Sequence, residues 1–255
     1  MKKATKNKEE IVQQKDINRR TIVSFAVFIT FLSCGYGAWL WLYRQPQASD
    51  NVQPALRAVL VANERLFNKF FSAGRQSKSF KKSDASATVR LNGDAGMDNT
   101  FDPKTWTLKI ARKPGDTLIL TIADIKALPK TEVIFDFKCV EGWSQVTYWG
   151  GVRFGDLLKK YNLAPQTTLK YVGMVTPDEK YYVGVDMPSM LQPQTLLCYE
   201  MNGKPLPYNQ GAPLRLIIPV KYGIKHLKRI GLIHFSNDKP KDYWAERGYD
   251  YYAGL

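Results

Sequence analysis

A chain of 255 residues, 44% of them hydrophobic, has room beyond an N-terminal apolar segment for one domain of about 170 to 180 residues with its own core. Lys+Arg 37 against Asp+Glu 23 gives a formal charge of +14; residues 1–20 hold seven bases and three acids, so +10 belongs to the rest. That balance suits an anionic ligand, an acidic partner or an anionic membrane surface, and the lack of clustered basic and aromatic side chains argues against nucleic acid. Three cysteines, at 34, 139 and 198, argue against a disulfide framework, and two histidines without acidic neighbours at ligand spacing argue against an all-protein zinc or iron site.

Residues 1–20 form a polar, basic tail ending in Arg19-Arg20, and 21–43 run without a charge. As a helix that run is roughly 34 Å long, enough to cross a bilayer. The basic tail then stays in the cytoplasm and the remainder lies on the extracytoplasmic, periplasmic side of a bacterial inner membrane. Arg19-Arg20 followed by Thr21-Ile22-Val23 also resembles a twin-arginine export signal, a reading that stands beside the simpler one, since bases flank most spans. The uncharged run is longer than an ordinary signal core and has no clean cleavage site, which favours a retained anchor.

Residues 44–86 read as a connector with one helix. Pro54 suits a first turn, and Leu56, Val59, Leu60, Asn63, Leu66, Phe67 and Phe70 recur at helical spacing up to Gly74. This face is expected to pack on the domain; the competing reading is a helix lying on the membrane surface, with Arg57, Arg65 and Lys69 on its other side. Arg75 to Lys82 reads as solvated linker.

The domain, 87–255, reads as α+β and strand-rich. Strands are expected at 106–111, 117–122, 132–140, 170–176, 181–185, 196–200, 215–219 and 229–235, with a short helix at 154–161. Asn202-Gly203 marks a tight turn and Asn209 to Pro213 a second one. Alternation in the third strand puts Val133, Phe135, Phe137 and Cys139 on one face, so the thiol points where the apolar side chains point. On pattern alone this thiol is equally a small core hydrophobe.

Three stretches carry a resemblance. KCVEGWS at 138–144, CYEMNGKPLPYNQGAPLRLIIPVKYGIKHLKRIG at 198–231 and YWAERGYDYY at 243–252 resemble the molybdopterin-binding domain of the sulfite oxidase family. The cysteine motif is more similar to that of bacterial periplasmic methionine sulfoxide reductase catalytic subunits than to that of sulfite oxidases. The resemblance covers about residues 88–252 and implies the family's fold and a molybdenum-molybdopterin cofactor. Cys139 is the implied metal ligand, with the other sulfurs coming from the pterin dithiolene. Glu141 is the implied proton-exchanging carboxylate near the metal, against the plain reading of a turn residue facing solvent.

Carried over position by position, the pterin contacts fall on Asn92, Thr176, Gln210, Arg215, His226, Leu227 and Lys228, with Lys225 adjacent. Arg215 and Lys228 are the natural phosphate partners, and the basic run around them reads otherwise as a solvated face. Gln210 stands where nearer relatives have asparagine, and Val183 stands where sulfite oxidases place a tyrosine. With the N-terminal anchor, the resemblance implies a membrane-anchored oxidoreductase moving an oxygen atom and two electrons, reducing an S-oxide or similar substrate. No haem-attachment, flavin or nicotinamide fingerprint is visible, so electrons are expected from a separate partner, a membrane haem protein or cytochrome. The alternatives are a sulfite-type dehydrogenase and a cofactor-free membrane interaction module.

Overall fold

The computed structural model describes residues 14–46, 52–68, 70, 76–91, 93–98 and 100–254. The first element, α1 (Gln14–Tyr43), is one helix of 30 residues with no buried side chain, and an 18-residue window of it has mean hydropathy 1.7. It is long and apolar enough to cross a membrane, and it begins seven residues before the uncharged run, so the two arginines sit on its first turns.

α2 (Pro54–Asn68) forms where expected, but only one edge of its expected face, Leu60, Asn63 and Phe67, borders the domain, along a cleft shared with Asp136, Lys138 and Tyr252. Leu56, Val59, Leu66, Phe67 and Phe70 are 50–68% exposed. What packs inward is the polar side: the Arg57 guanidinium donates to the Ala245 and Tyr249 carbonyls at 2.8 and 3.2 Å, and Glu64 meets the Lys239 ammonium at 2.6 Å. Two long-range hydrogen bonds and an ion pair thus override the hydrophobic periodicity. The expected linker is also revised. Ser79 bridges Phe135 on the edge of the third strand, the Phe80 amide donates to Ile134, and Ser77 and Gln194 exchange two hydrogen bonds, so residues 77–80 run as a strap that covers a sheet edge.

Two five-stranded sheets follow. The first has the order β2-β1-β10-β5-β6, from β1 (Leu108–Lys113), β2 (Asp116–Leu120), β5 (Tyr171–Val175), β6 (Tyr182–Asp186) and β10 (Leu232–Ser236); β1 and β10 are parallel and the other pairs antiparallel. The second is antiparallel, β3-β4-β7-β8 with β9 also on β7, from β3 (Lys130–Lys138), β4 (Ser144–Arg153), β7 (Leu196–Met201), β8 (Lys204–Pro205) and β9 (Arg215–Ile217). Short helices α3 (Ile122–Lys126), α4 (Phe154–Lys160) and α5 (Met187–Met190) fill the connections.

β7 separates two cores by alternation. Leu197 and Tyr199 face the larger one, with Leu108, Ile110, Met174 and Ile233; Leu196 and Cys198 face the smaller, with Val133, Phe135, Trp149 and Ile217. In β9 the same period sends Leu216 into the larger core and keeps Arg215 on the side of Ile217, paired in register with Cys198. A cation therefore enters the edge of an apolar cluster, and that edge becomes the site.

Candidate functional site

The β3–β4 hairpin closes over residues 139–143, between the paired Lys138 and Ser144. The Cys139 amide donates to the Trp143 carbonyl at 2.9 Å, and the Gly142 amide returns to the Cys139 carbonyl at 3.1 Å. This turn leaves Cys139 4% exposed at the end of the Phe135–Phe137 face, on the wall of a cavity of about 320 Å³. Ligand sites run from about 300 to 1,000 Å³. No disulfide involves Cys34, Cys139 or Cys198.

Six residues expected from the sequence line this one cavity: Cys139, Glu141, Gln210, Arg215, His226 and Lys228. They arrive from a hairpin turn, a short 3-10 turn, a strand and the segment after it. Gly211 brings two of these together: its φ of +103° is left-handed, and a Cβ there would crowd the Lys228 backbone at 3.0 Å, so only glycine lets the Gln210 turn lie against Lys228.

Arg215 is 3% exposed. Its Nη1 donates to the Gln210 carbonyl and Oε1 at 3.0 and 2.9 Å, its Nη2 reaches the His226 carbonyl at 3.4 Å, and its guanidinium stands 4.5 Å from the Trp149 ring centre. Among the described residues its buried Nε has no hydrogen-bond partner. Burial holds the Arg215 pKa down at about 10. The Lys228 ammonium donates to the Gly93 carbonyl at 2.7 Å, and burial foremost, then the neighbouring Arg215, depress it to about 8. Arg215 and Lys228, with the Asp94 carboxylate acting on Lys228 only as a lesser influence, make this part of the wall attractive to an anion.

His226 is committed elsewhere. Its Nδ1 accepts the Ile218 amide at 3.4 Å and its Nε2 lies 3.1 Å from the Lys221 carbonyl, which fits a neutral ring protonated at Nε2. Burial and Arg215 push its pKa down to about 3. The Glu141 side chain is 49% exposed at the cavity wall; it accepts the Trp143 indole N–H at 2.9 Å and lies 3.9 Å from Arg90, whose guanidinium stacks 4.7 Å from the Trp143 ring centre. Glu141 is thus a turn residue that reaches solvent and also borders the cavity.

Three expected residues do not line the cavity. Thr176 closes the β5–β6 connection, donating from Oγ1 to Asp178 at 2.6 Å and accepting the Tyr181 amide at 3.1 Å. Lys225 is buried against Asp242 and donates to the Gly184 carbonyl at 2.9 Å. Leu227 lies fully buried in the larger core, its carbonyl accepting the Leu216 amide at 2.9 Å. Asn92 lies outside the described residues. Among the described residues, no three His, Cys, Asp or Glu side chains gather where they could hold a metal.

Arg90, Tyr181, Trp244 and Tyr249 also line the cavity and were assigned no role from sequence. The YWAERGY stretch was itself a signal for Trp244 and Tyr249. Arg90 gave none, because it meets Trp143 only through the fold.

The family model described as "Oxidoreductase molybdopterin binding domain" matches residues 95–244. The chain belongs to this family. It is an oxidoreductase of the molybdopterin-binding type, and its two-sheet α+β architecture is that of a family member. The candidate protein-methionine-sulfoxide reductase subunit YedZ1 of Azospira oryzae is 30% identical over 207 residues, covering 80% of this chain and 78% of its own. The protein-methionine-sulfoxide reductase catalytic subunits MsrP of Xanthomonas axonopodis pv. citri and Campylobacter jejuni are 31% and 34% identical, covering 78% and 62% of this chain. This molybdopterin-binding chain spans 62% and 59% of the length of those two relatives. The sulfane dehydrogenase SoxCD of Paracoccus pantotrophus superposes with a TM-score of 0.48 at 16% identity, over 66% of this chain and 46% of that one.

Proposed function

We propose that the chain is a membrane-anchored, extracytoplasmic molybdenum enzyme that reduces a sulfoxide, methionine sulfoxide foremost, with electrons from a separate carrier. The observation that carries this reading is a single cavity shared by the Cys139 sulfur and the Arg215 and Lys228 cations. The residues fit a molybdopterin. A thiolate is the ligand a soft redox metal takes, and among the described residues no protein cluster competes with the pterin dithiolene for the other ligand positions. The unsatisfied Arg215 Nε and the Lys228 ammonium suit the pterin phosphate, and Gln210, whose Oε1 accepts from Arg215, lines the same cavity. When bound, this group supplies two-electron oxygen-atom transfer.

The net reaction joins one sulfoxide, two electrons and two protons to give one sulfide and one water. The S–O bond breaks, sulfur is reduced and the carrier is oxidised. Glu141 is the group placed to hand on a proton, its carboxylate oriented by the Trp143 N–H and still open to solvent. Trp143, Trp244 and Tyr249 line the cavity with aromatic rings, and the sulfur of a methionine side chain favours such contacts. His226 acts through its backbone, since both ring nitrogens are engaged and its carbonyl steadies Arg215.

The names of the MsrP relatives support the substrate, and their designation as catalytic subunits supports a separate electron donor, a membrane haem protein or cytochrome. α1, with Arg19-Arg20 on its cytoplasmic side, supports the anchor. The full chain, purified in detergent from molybdenum-replete cells, tests the reading. It is expected to contain molybdenum and to reduce methionine sulfoxide with a reduced dye but not to oxidise sulfite with an acceptor. Folded protein without molybdenum, or turnover of sulfite alone, would sink it.

A further inference from the structure

We infer that the outward face of α2 lies in the headgroup layer of the membrane that α1 spans, and so holds the Trp244–Tyr249 wall of the cavity at the bilayer surface. The inference rests on the anchor proposed above. Leu56, Val59 and Leu66 point outward along the helix, and Phe67, with Phe70 just past its end, stands at the mouth of the cleft beside it, each of the five at least half exposed. So many large apolar side chains exposed within fifteen positions are more than scattered surface apolars, and they call for a covering.

The covering is identified by where the chain comes from. Positions 44–53 separate the end of α1 from the start of α2, ten residues that reach at most about 36 Å. Trp39, Trp41 and Tyr43, all exposed, close α1 with the aromatics that prefer the interface. The chain after residue 20 carries +10, complementary to anionic lipid, and Arg65 is exposed beside the stripe. Acidic groups near α2 are Glu64, which is paired with Lys239, and Asp136 and Asp250, which line the cleft behind the helix together with Lys78 and Lys138.

The inner face of α2 transmits this placement to the site. Arg57 is hydrogen-bonded to the carbonyls of Ala245 and Tyr249, and Val52 touches the position where a Gly248 Cβ would stand, at 3.5 Å. Trp244 and Tyr249 in that clasped segment line the cavity. An interfacial α2 thus presents the site to a carrier embedded in the same bilayer.

The full chain in nanodiscs containing phosphatidylglycerol, with Cys34→Ala, provides the test. Nitroxide labels are placed at Leu56→Cys, Val59→Cys and Leu66→Cys, with Lys159→Cys on the exposed side of α4 as reference; Cys139 and Cys198, 4% and 0% exposed, are checked by labelling the parent. The ratio of collisions with oxygen to collisions with a water-soluble nickel chelate is expected to be several-fold higher at the three α2 sites than at the reference. Equal ratios would overturn the placement, and so would labels immobilised and shielded from both quenchers, the result expected if a protein or a second copy covers the face. Chain released by alkaline carbonate would overturn the anchor itself, which separates the two failures.

Discussion

Replacing His226 by glutamine is expected to flatten the acid side of the stability profile. The ring is 3% exposed, lies 4.6 and 6.0 Å from the Phe137 and Phe135 ring centres, and neighbours Arg215. Burial foremost, and that cation second, hold its pKa at about 3 against an ordinary 6.5. The unfolded chain therefore takes up the proton first. The stability tied to the neutral ring is complete above pH 6.5 and is lost as pH falls towards 3. At pH 4.5, two units below the unfolded value, the loss is about 2.7 kcal/mol. Urea unfolding of the full chain in detergent at pH 7 and pH 4.5 reads this directly. The wild type should lose about 2 to 3 kcal/mol more between the two conditions than His226→Gln, since carboxylates titrate in both. Equal losses would refute the neutral, doubly hydrogen-bonded ring.

Lys225→Met should lower stability by about 3 to 5 kcal/mol by stranding Asp242 in the interior; Lys225→Met/Asp242→Leu should recover part of it, with unchanged pterin content per folded chain, whereas pterin loss in the double variant would restore Lys225 as a cofactor contact. Arg215→Lys keeps the charge but not the fork that serves Gln210 and His226, so purified protein should retain little pterin and lose about 1 to 3 kcal/mol for each acceptor stranded. Gly151→Ala should destabilise by more than about 2 kcal/mol, because a Cβ there would overlap the Leu197 carbonyl, backbone that cannot step aside; a change within about 0.5 kcal/mol in thermal unfolding would contradict the β4–β7 register.

Gly151 also shows why part of the fold was hidden in the sequence. β4, ten residues and the longest strand, was not expected, since SQVTYWGGVR carries two adjacent glycines and begins just after a turn. Gly150 and Gly151 mark a shift of register, and the strand survives on its two neighbours rather than on propensity. Strands with alternating or β-branched residues were legible within two or three residues, as in β5, β6 and β7, and so was the Asn202-Gly203 turn. α2 was legible as a helix but not in its orientation, because Arg57 and Glu64 find partners 188 and 175 residues away that local pattern does not contain. The same limit applies to the site. Cys139 could be placed on an apolar face from alternation, whereas its meeting with Arg215 and Lys228 depends on β7, β9 and the turn at Gly211.

The central claim is that the sulfur of Cys139 completes the coordination of a molybdenum centre brought by the pterin. X-ray absorption at the molybdenum edge of wild type and Cys139→Ser, both checked for pterin content, tests it most directly. The account predicts one fewer sulfur neighbour in the serine variant, with pterin retained by the Arg215 and Lys228 contacts; an unchanged sulfur shell would contradict it.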